Sequence, residues 1–415
     1  MNYPDAVHFL YSLGNEVKAA KLGLDRMLVL LSALGDPHCG PAIVHVAGTN
    51  GKGSTCAMIE AGLRAAGRRT GLYTSPHLAE PTERIRIAGQ PVAPGEFAQA
   101  FDAVHEAAEH LLAAGELEAH PTYFETVTAM AFVLFREHAV DTLVLEVGLG
   151  GRLDATNVVQ PAVAVITPID YDHEAFLGRG IDSIAAEKAG ILKAGAPAVI
   201  APQRPEAEDV VRATAAALGV TPCWAARWEM SDLNLTPAGC TFRARHLKVV
   251  CPLAGEHQAM NALTAAITLD VLGIPPDGIA SARWPGRLER VRTSPDVILD
   301  GAHNPAGALA LARYIERFYA GRRIRLIYGA MRDKALEEMA AILFPLASQV
   351  IVTAPSQTRA ARPETILSLT EHPRLHMAPS LPEALNLVRD AAADEAIFIT
   401  GSLFLVGEAR AVLLQ

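Results

Sequence analysis

The sequence predicts an α/β protein of two domains, each built on a mostly parallel sheet, and three observations carry that prediction. Short β-branched runs alternate with helical stretches from residue 1 to about 280, the pattern of a parallel sheet covered by helices on both faces. One such run, Ile43 to Ala47, ends in a glycine-rich turn with a helix-forming segment directly behind it. Around Trp284-Pro285-Gly286-Arg287 the alternation breaks and then starts afresh. At 415 residues with 50% hydrophobic content, the chain also exceeds what a single core usually serves.

Taken in order, the strands of the first part are expected at Ile43 to Ala47, Thr70 to Tyr73, Thr142 to Val147, Ala162 to Thr167 and Ala198 to Ala201. Helices are expected near 52–66, 95–114, 123–138, 182–192 and 205–218. Residues 225–255 read as short, arginine-containing strands of a small side sheet, followed by a helix from His257 to Leu272. The second alternation places strands at Val297 to Leu299, Arg325 to Tyr328, Gln349 to Thr353, Arg374 to Met377 and Ala396 to Thr400, with helices such as 305–318 and 381–392 between them. The domains are therefore expected at 1–284 and 297–415, joined by a linker at 285–296. The second part looks Rossmann-like by its alternation but lacks a G-x-G-x-x-G turn, so no dinucleotide site is expected there.

Composition narrows the partners. A formal net charge of −9 and a pI near 5.9 argue against a nucleic-acid surface, although local arginines can still meet an anionic substrate. Five cysteines, odd in number and without C-x-x-C spacing, suggest neither a disulfide framework nor a zinc site. The N-terminus shows no basic-then-apolar signal pattern and no apolar run reaches membrane length. A cytoplasmic protein acting on small molecules, without a membrane partner, is the expectation.

The turn Gly48-Thr49-Asn50-Gly51-Lys52-Gly53-Ser54-Thr55 brings backbone N–H groups and a helix N-terminus to one point, which makes an anion site. Lys52 adds a mobile point charge suited to β- and γ-phosphates, and Ser54 or Thr55 offers a hydroxyl of the kind that sits on Mg²⁺. The standard pattern G-x-x-x-x-G-K-[ST] is not met: Val46 stands where its first glycine belongs, and Gly53 separates Lys52 from Ser54. On this stretch alone, a strand-to-helix turn with an incidental lysine stays open. Glu146 closes a buried-looking strand ahead of Gly148-Leu149-Gly150-Gly151, where a nucleotide-linked Mg²⁺ would be held. A dinucleotide loop is the rival there, but Leu153 stands where its last glycine belongs. Asp172-His173 follows the strand ending at Thr167; taken alone, His173 reads as a turn histidine, since Mg²⁺ prefers oxygen. Lys188 in Glu187-Lys188-Ala189-Gly190-Ile191 reads as part of a solvated helix face, and Ser75 in Thr74-Ser75-Pro76-His77 as a proline-bounded turn.

Together these motifs resemble the Mur ligase superfamily, and the Gly-Ser ending of the turn is similar to its folylpolyglutamate synthase branch. The resemblance extends in family order through Asp172-His173-Glu174-Ala175-Phe176-Leu177-Gly178, Glu187-Lys188-Ala189-Gly190-Ile191, Gly255-Glu256-His257-Gln258-Ala259-Met260-Asn261-Ala262, Pro285-Gly286-Arg287-Leu288-Glu289, Asp300-Gly301-Ala302-His303-Asn304-Pro305 and Thr400-Gly401-Ser402, thus from residue 48 to 402. It implies a P-loop-type ATP-binding domain followed by a smaller Rossmann-like glutamate ligase domain. It assigns ATP to Asn50, Gly51, Lys52, Gly53, Ser54, Asn261, Arg287 and Asp300. Two Mg²⁺ fall to Ser54, Ser75, Glu146 and His173, with K⁺ as a further candidate cation, and Lys188 is implied to be carbamylated. L-glutamate falls to Asp300, His303 and Ser402. Thr122, Tyr123, Phe124 and Glu125, with Arg152, Leu153 and Asp154, resemble the pterin side, where an aromatic pair could stack on a flat ring; helix core is the alternative for Tyr123 and Phe124.

The activity implied is that of a bifunctional dihydrofolate synthase and folylpolyglutamate synthase. A carboxylate attacks the γ-phosphate of ATP to give an acyl phosphate, and the amino group of L-glutamate displaces phosphate. Lys52, Lys188, Asp300 and His303 are the implied catalytic set, with Asp300 and His303 the pair to bind and deprotonate the amine. Domain closure would exclude water from the acyl phosphate. A monofunctional folylpolyglutamate synthase is the nearest alternative. A cell-wall Mur ligase is disfavoured because only about 42 residues precede the first strand, too few for a UDP-sugar domain. A nucleotide-binding module without chemistry is the alternative of another class. A monomer is expected.

Overall fold

The structure, a computed structural model, describes residues 1–14, 23–178 and 180–414. The chain divides into two compact units, one of residues 1–231, 243–249 and 260–282, the other of 232–242, 250–259 and 283–415.

In the first unit the strands are β1 (Ala42–Ala47), β2 (Thr70–Tyr73), β3 (Ile85–Ile87), β4 (Gln90–Pro91), β5 (Thr142–Glu146), β6 (Val163–Ile166), β7 (Ala198–Ile200) and β8 (Cys223–Trp224). They form one sheet in the order β4-β3-β2-β5-β1-β6-β7-β8. The six strands from β2 to β8 run parallel, and only the edge hairpin of β3 and β4 is antiparallel. β1 and β5 are central and buried along almost their whole length, which is why they read as continuous apolar runs rather than alternating ones. Their register, Val46 beside Glu146, sets the glycine turn after β1 next to the carboxylate that ends β5. Helix Lys52–Ala65 packs on β5 and β2 and is buried from Ser54 to Leu63. Phe97, Phe101, Phe132 and Phe135 dominate one core cluster, and Ile184, Ile200 and Val211 belong to another.

The helices expected at 52–66, 123–138 and 205–218 are observed at Lys52–Ala65, Tyr123–Glu137 and Pro205–Ala217. That expected at 182–192 ends earlier, at Ala189, because the next N–H groups turn back by three residues, Ile191 to Lys188 and Leu192 to Ala189. Two helices not anticipated, Tyr3–Ser12 and Asp25–Ala33, precede β1. The small side sheet is present as β9 (Met230–Thr236), β10 (Gly239–Ala244) and β11 (Leu247–Cys251), in the order β11-β10-β9. Among the described residues no helix is long and apolar enough to cross a membrane.

The second unit is organised around a six-stranded sheet of β12 (Glu289–Arg292), β13 (Asp296–Leu299), β14 (Ile324–Tyr328), β15 (Gln349–Val352), β16 (Leu375–Met377) and β17 (Ala396–Thr400). Its order is β12-β13-β17-β14-β15-β16, parallel except for β12. Residues 285–296 thus carry an edge strand rather than only connecting chain. Helix Pro305–Phe318 matches its expected span, whereas that expected at 381–392 stops at Asn386 and continues as three-residue turns.

Candidate active site

The glycine turn after β1 is shaped by two glycines in left-handed backbone, Gly48 at φ +145° and Gly51 at +83°. Neither has room for a side chain: a Cβ on Gly48 would collide with Thr167 Oγ1, and one on Gly51 with the Asn261 amide. The turn is pinned laterally to the segment after β6, since the N–H groups of Thr49 and Asn50 both donate to the Pro168 carbonyl, at 2.9 and 3.2 Å. Thr49 Oγ1 donates to Asp170 O at 3.0 Å. Gln203 holds that segment in turn, accepting from Ile169 N and donating to Thr167 O.

Two lysines converge on this turn. Lys52 Nζ donates to the carbonyls of Gly48 and Thr49, at 3.1 and 3.2 Å, and Lys188 Nζ donates to the same Gly48 carbonyl at 2.9 Å. Lys188 is 5% exposed, so it does not lie on a solvated face. Burial, with the nearby Lys52 charge, brings its pKa down to about 7, against the weaker pull of Asp172, Asp154 and Glu187. Ser54 is buried in the first turn of the helix, and the neighbouring Thr55 Oγ1 is buried without a hydrogen-bond partner among the described residues. Glu146 is 4% exposed and accepts from Ser75 N at 3.1 Å, which ties the Ser75-Pro76 turn to the end of β5. Cys56 lies within reach of both the Glu146 and Lys52 charges, and burial pushes its thiol up. His173 sits in left-handed backbone at φ +54°, exposed, its N–H on Asp172 Oδ1 at 2.9 Å.

The residues expected on the pterin side divide. Thr122 and Glu125 form a capping box at the start of helix Tyr123–Glu137, and Glu125 also holds Arg26 Nε through both carboxylate oxygens at 3.0 Å. Tyr123 is buried, stacked on Tyr11 at 5.6 Å with the Arg84 guanidinium over its ring at 5.0 Å. Phe124 is only half buried, and its ring fills the space a Cβ would need at Gly148. Asp154 is buried and engaged: Oδ2 accepts from Gly148 N and Leu149 N at 3.0 and 2.9 Å, Oδ1 from Thr156 N and Oγ1 at 3.0 and 2.5 Å. Arg152 is exposed and paired with Glu187 at 2.7 Å, and Leu153 is half buried.

In the second unit Asp300 follows β13 and is 6% exposed, with Oδ2 accepting from Leu288 N at 2.9 Å and Oδ1 from Ala302 N at 3.0 Å. Burial raises its pKa while the Arg287 guanidinium opposes the rise. Arg287 crosses the backbone so closely that a Cβ on Gly301 would strike its Nη1, and it donates to Gly286 O at 3.1 Å. His303 Nδ1 lies 2.8 Å from Gly301 O. A carbonyl only accepts, so Nδ1 carries a proton, and in the neutral form of the ring the lone pair is on Nε2. Ser402, 1% exposed, caps helix Leu403–Leu413 by accepting from Leu405 N at 3.2 Å.

The family described as Mur ligase middle domain matches residues 46–269, and that described as Mur ligase, glutamate ligase domain, matches 286–403. A dihydrofolate synthase/folylpolyglutamate synthase of Bacillus subtilis (strain 168) is 34% identical over 98% of this chain and 98% of its own length. The chain belongs to the folylpolyglutamate synthase/dihydrofolate synthase family. A Mycobacterium tuberculosis folylpolyglutamate synthase solved with ADP and AMPPCP superposes at a TM-score of 0.92, with 33% identity, covering 100% of this chain and 98% of that one. A probable bifunctional folylpolyglutamate synthase/dihydropteroate synthase of Halobacterium salinarum is 37% identical over 99% of this chain, which spans about half, 51%, of that relative's length.

Within this folylpolyglutamate synthase-type fold, three further residues to which the sequence reading gave no role support the site. His45, in the middle of β1 and fully buried, places Nε2 2.8 Å from Thr156 Oγ1, extending the Asp154 network, and burial pushes its pKa down to about 3. Glu289 accepts from Gly286 N at 2.8 Å and holds Arg410 at 3.0 Å, so the carboxylate of Pro285-Gly286-Arg287-Leu288-Glu289 secures the turn that presents Arg287. His77 accepts from Arg84 Nε at 2.9 Å through Nδ1 and lies 3.2 Å from Tyr11 OH through Nε2.

Proposed function

We propose that this chain joins L-glutamate to the carboxyl group of dihydropteroate and of reduced folates in an ATP-dependent amide ligation. The observation that carries the reading is the pinned glycine turn, on whose Gly48 carbonyl two lysines converge beside the strand-end carboxylate Glu146. The relatives' names, dihydrofolate synthase/folylpolyglutamate synthase among them, and the nucleotide complex of the mycobacterial structure point to the same substrates.

In this reading the substrate carboxylate attacks the γ-phosphorus of ATP, ADP leaves, and an acyl phosphate forms. The amine of glutamate then attacks the acyl carbon, phosphate leaves, and the amine proton passes to a base. Bringing a carboxylate to about 4 Å from a phosphate oxygen costs roughly 4 kcal/mol per charge pair at an effective dielectric of 20. Lys52 opposes that repulsion by exchanging its Gly48 and Thr49 carbonyls for phosphate oxygens, while Gly51 and Gly53 present backbone N–H groups, Asn50 lines the turn with its side chain and Asn261 borders it. Ser54, Ser75, Glu146 and His173 would hold Mg²⁺, which when bound neutralises phosphate charge; the buried Glu146 carboxylate and Ser54 hydroxyl suit a hard cation. K⁺ is left without assigned residues.

A Lys188 brought down to about pKa 7 is in part neutral amine at neutral pH. The neutral amine adds CO₂ and releases a proton, and the resulting carbamate is an anion that would face the Lys52 charge and, when bound, Mg²⁺. On the second unit, His303 Nε2 is the base for the amine, Asp300 fixes the turn and faces Arg287, and Ser402 adds a hydroxyl. On the pterin side Phe124 over Gly148 is the stacking ring. Thr122, Glu125 and Asp154 shape the walls from their caps and turns, Tyr123 packs behind, and Arg152 and Leu153 border the glycine turn. The reading takes the protein as a cytoplasmic monomer acting on small molecules, with neither nucleic acid nor membrane as partner.

The test supplies purified protein with ATP, Mg²⁺, glutamate and either dihydropteroate or tetrahydrofolate, and follows product mass. Both acids should gain glutamate. Addition to tetrahydrofolate alone would make the chain monofunctional, and addition to neither, with no glutamate-dependent phosphate release, would leave a nucleotide-binding module.

A further inference from the structure

One side-chain cluster lies outside all of these roles. His105 and Glu109, one turn apart on helix Pro94–Ala113, meet His120 from the segment that leads into helix Tyr123–Glu137. Their ligand atoms lie within 4.8 Å of one another: His105 Nδ1 to His120 Nε2 at 3.4 Å, and Glu109 Oε1 to these nitrogens at 3.9 and 3.8 Å. We infer that His105, Glu109 and His120 form a binding site for a divalent transition metal of the zinc class, with solvent on its open side.

Three observations converge. A tetrahedral metal with M–N bonds of about 2.0–2.1 Å separates two of its ligands by about 3.3–3.4 Å. The His105–His120 separation of 3.4 Å already has that length. The Glu109 side chain is 55% exposed and needs to close by only about half an ångström to join them. Second, His120 Nδ1 lies 2.9 Å from the Pro121 carbonyl, which can only accept. The ring proton is therefore on Nδ1, and the Nε2 lone pair faces the cluster, the arrangement by which an outer hydrogen bond orients a metal-binding imidazole. Third, the rings are pre-positioned: His105 stacks on Phe101 at 5.4 Å and meets the edge of Phe9 at 4.7 Å, and Phe9 also borders His120 at 5.7 Å. Two imidazoles and one carboxylate suit Zn²⁺ or its late first-row neighbours better than Mg²⁺. A metal here ties the end of one helix to the chain just ahead of the Thr122 cap.

The inference is independent of the proposed activity, and so is its test. Full-length protein stripped with chelator is titrated with Zn²⁺ in the presence of excess Mg²⁺, and bound metal is counted; Co²⁺ absorption reports the nitrogen ligands. One strongly held equivalent is expected, with affinity about 10- to 100-fold lower in Glu109→Gln and lost in His105→Ala and His120→Ala. Glu109→Gln alters an exposed side chain and serves as the variant that keeps its fold. Glu146→Ala, at the end of β5 beside the glycine turn, should keep the equivalent. Unchanged affinity in Glu109→Gln and His120→Ala, loss of the metal in Glu146→Ala, or no binding under Mg²⁺ would each overturn the site.

Discussion

Burial of Lys188 should leave a signature in stability against pH. In the unfolded chain its amine titrates at the ordinary 10.5, and in the folded protein at about 7. Above 10.5 both states hold it neutral and it contributes no difference. Between 10.5 and 7 the unfolded chain takes up a proton that the folded one does not, so folding is opposed more strongly as pH falls, by about 1.4 kcal/mol per pH unit. Below 7 both states are charged and the opposition is constant at its largest, about 5 kcal/mol as an upper bound. At pH 8 it amounts to about 3 kcal/mol. Lys188→Met keeps length and packing but cannot titrate. Losing the bond to the Gly48 carbonyl shifts its whole curve without changing the slope. Urea unfolding of both proteins from pH 7 to 10 in CO₂-depleted buffer should show wild type losing stability relative to Lys188→Met as pH falls. Bicarbonate should then raise wild type alone, because only a neutral amine forms a carbamate and a ligand of the native state stabilises by mass action. Parallel curves for the two proteins across that window would refute the burial-driven shift.

Lys52→Ala should abolish product formation yet alter stability by less than about 1 kcal/mol, since its ammonium donates to the Gly48 and Thr49 carbonyls at a half-buried site; turnover and a melting curve together decide it. Gly48→Ala should destroy nucleotide binding, measured by calorimetry, because the added methyl collides with Thr167, and Thr167→Ala in the same chain should recover part of the loss. His303→Ala should spare ATP binding while raising the glutamate KM and lowering kcat, with slow phosphate release to water remaining; wild-type glutamate kinetics would refute its role as base. Asp154→Ala should cost about 2–4 kcal/mol in urea unfolding, because it strands the N–H groups of Gly148 and Leu149 and the hydroxyl of Thr156.

Much of the fold could be read from period and punctuation. β2 and β17 occur at their expected residues, and the central strands differ by a residue or so at their ends, because buried parallel strands are written as unbroken apolar runs. What went unread lacked such a signal. β4 is two residues ending in Pro91, β12 is a four-residue edge strand with a single apolar residue, Val291, and helices Tyr3–Ser12 and Asp25–Ala33 precede the first strong strand. In the glycine turn, Gly48, Gly51 and Lys52 were legible because they stand together in the sequence. Lys188 was legible only through its motif: a lysine in Ala-Glu-Lys-Ala looks solvated, and its burial depends on Gly48, 140 residues away. Thr122-x-x-Glu125 did carry a readable meaning, since that spacing is a capping box, and the structure uses it so. The fixing of Asp154 by His45 and Thr156 joins three separate segments and has no local pattern to betray it.

The lateral seam between the glycine turn and residues 167–170 has a consequence for how such a chain can vary. Thr167 fills the space above Gly48, and Pro168 O receives two N–H groups from the turn, so one added or deleted residue in 167–170 would shift every one of these partners at once. Length should therefore be frozen there in relatives, and substitutions at Gly48 and Thr167 should occur in step. The hairpin of β3 and β4 turns at Ala88 and Gly89 on the sheet edge, with one strand bonded on one side only. Insertions should accumulate at that turn instead, leaving the glycine turn the fixed origin from which the rest of the sheet is measured.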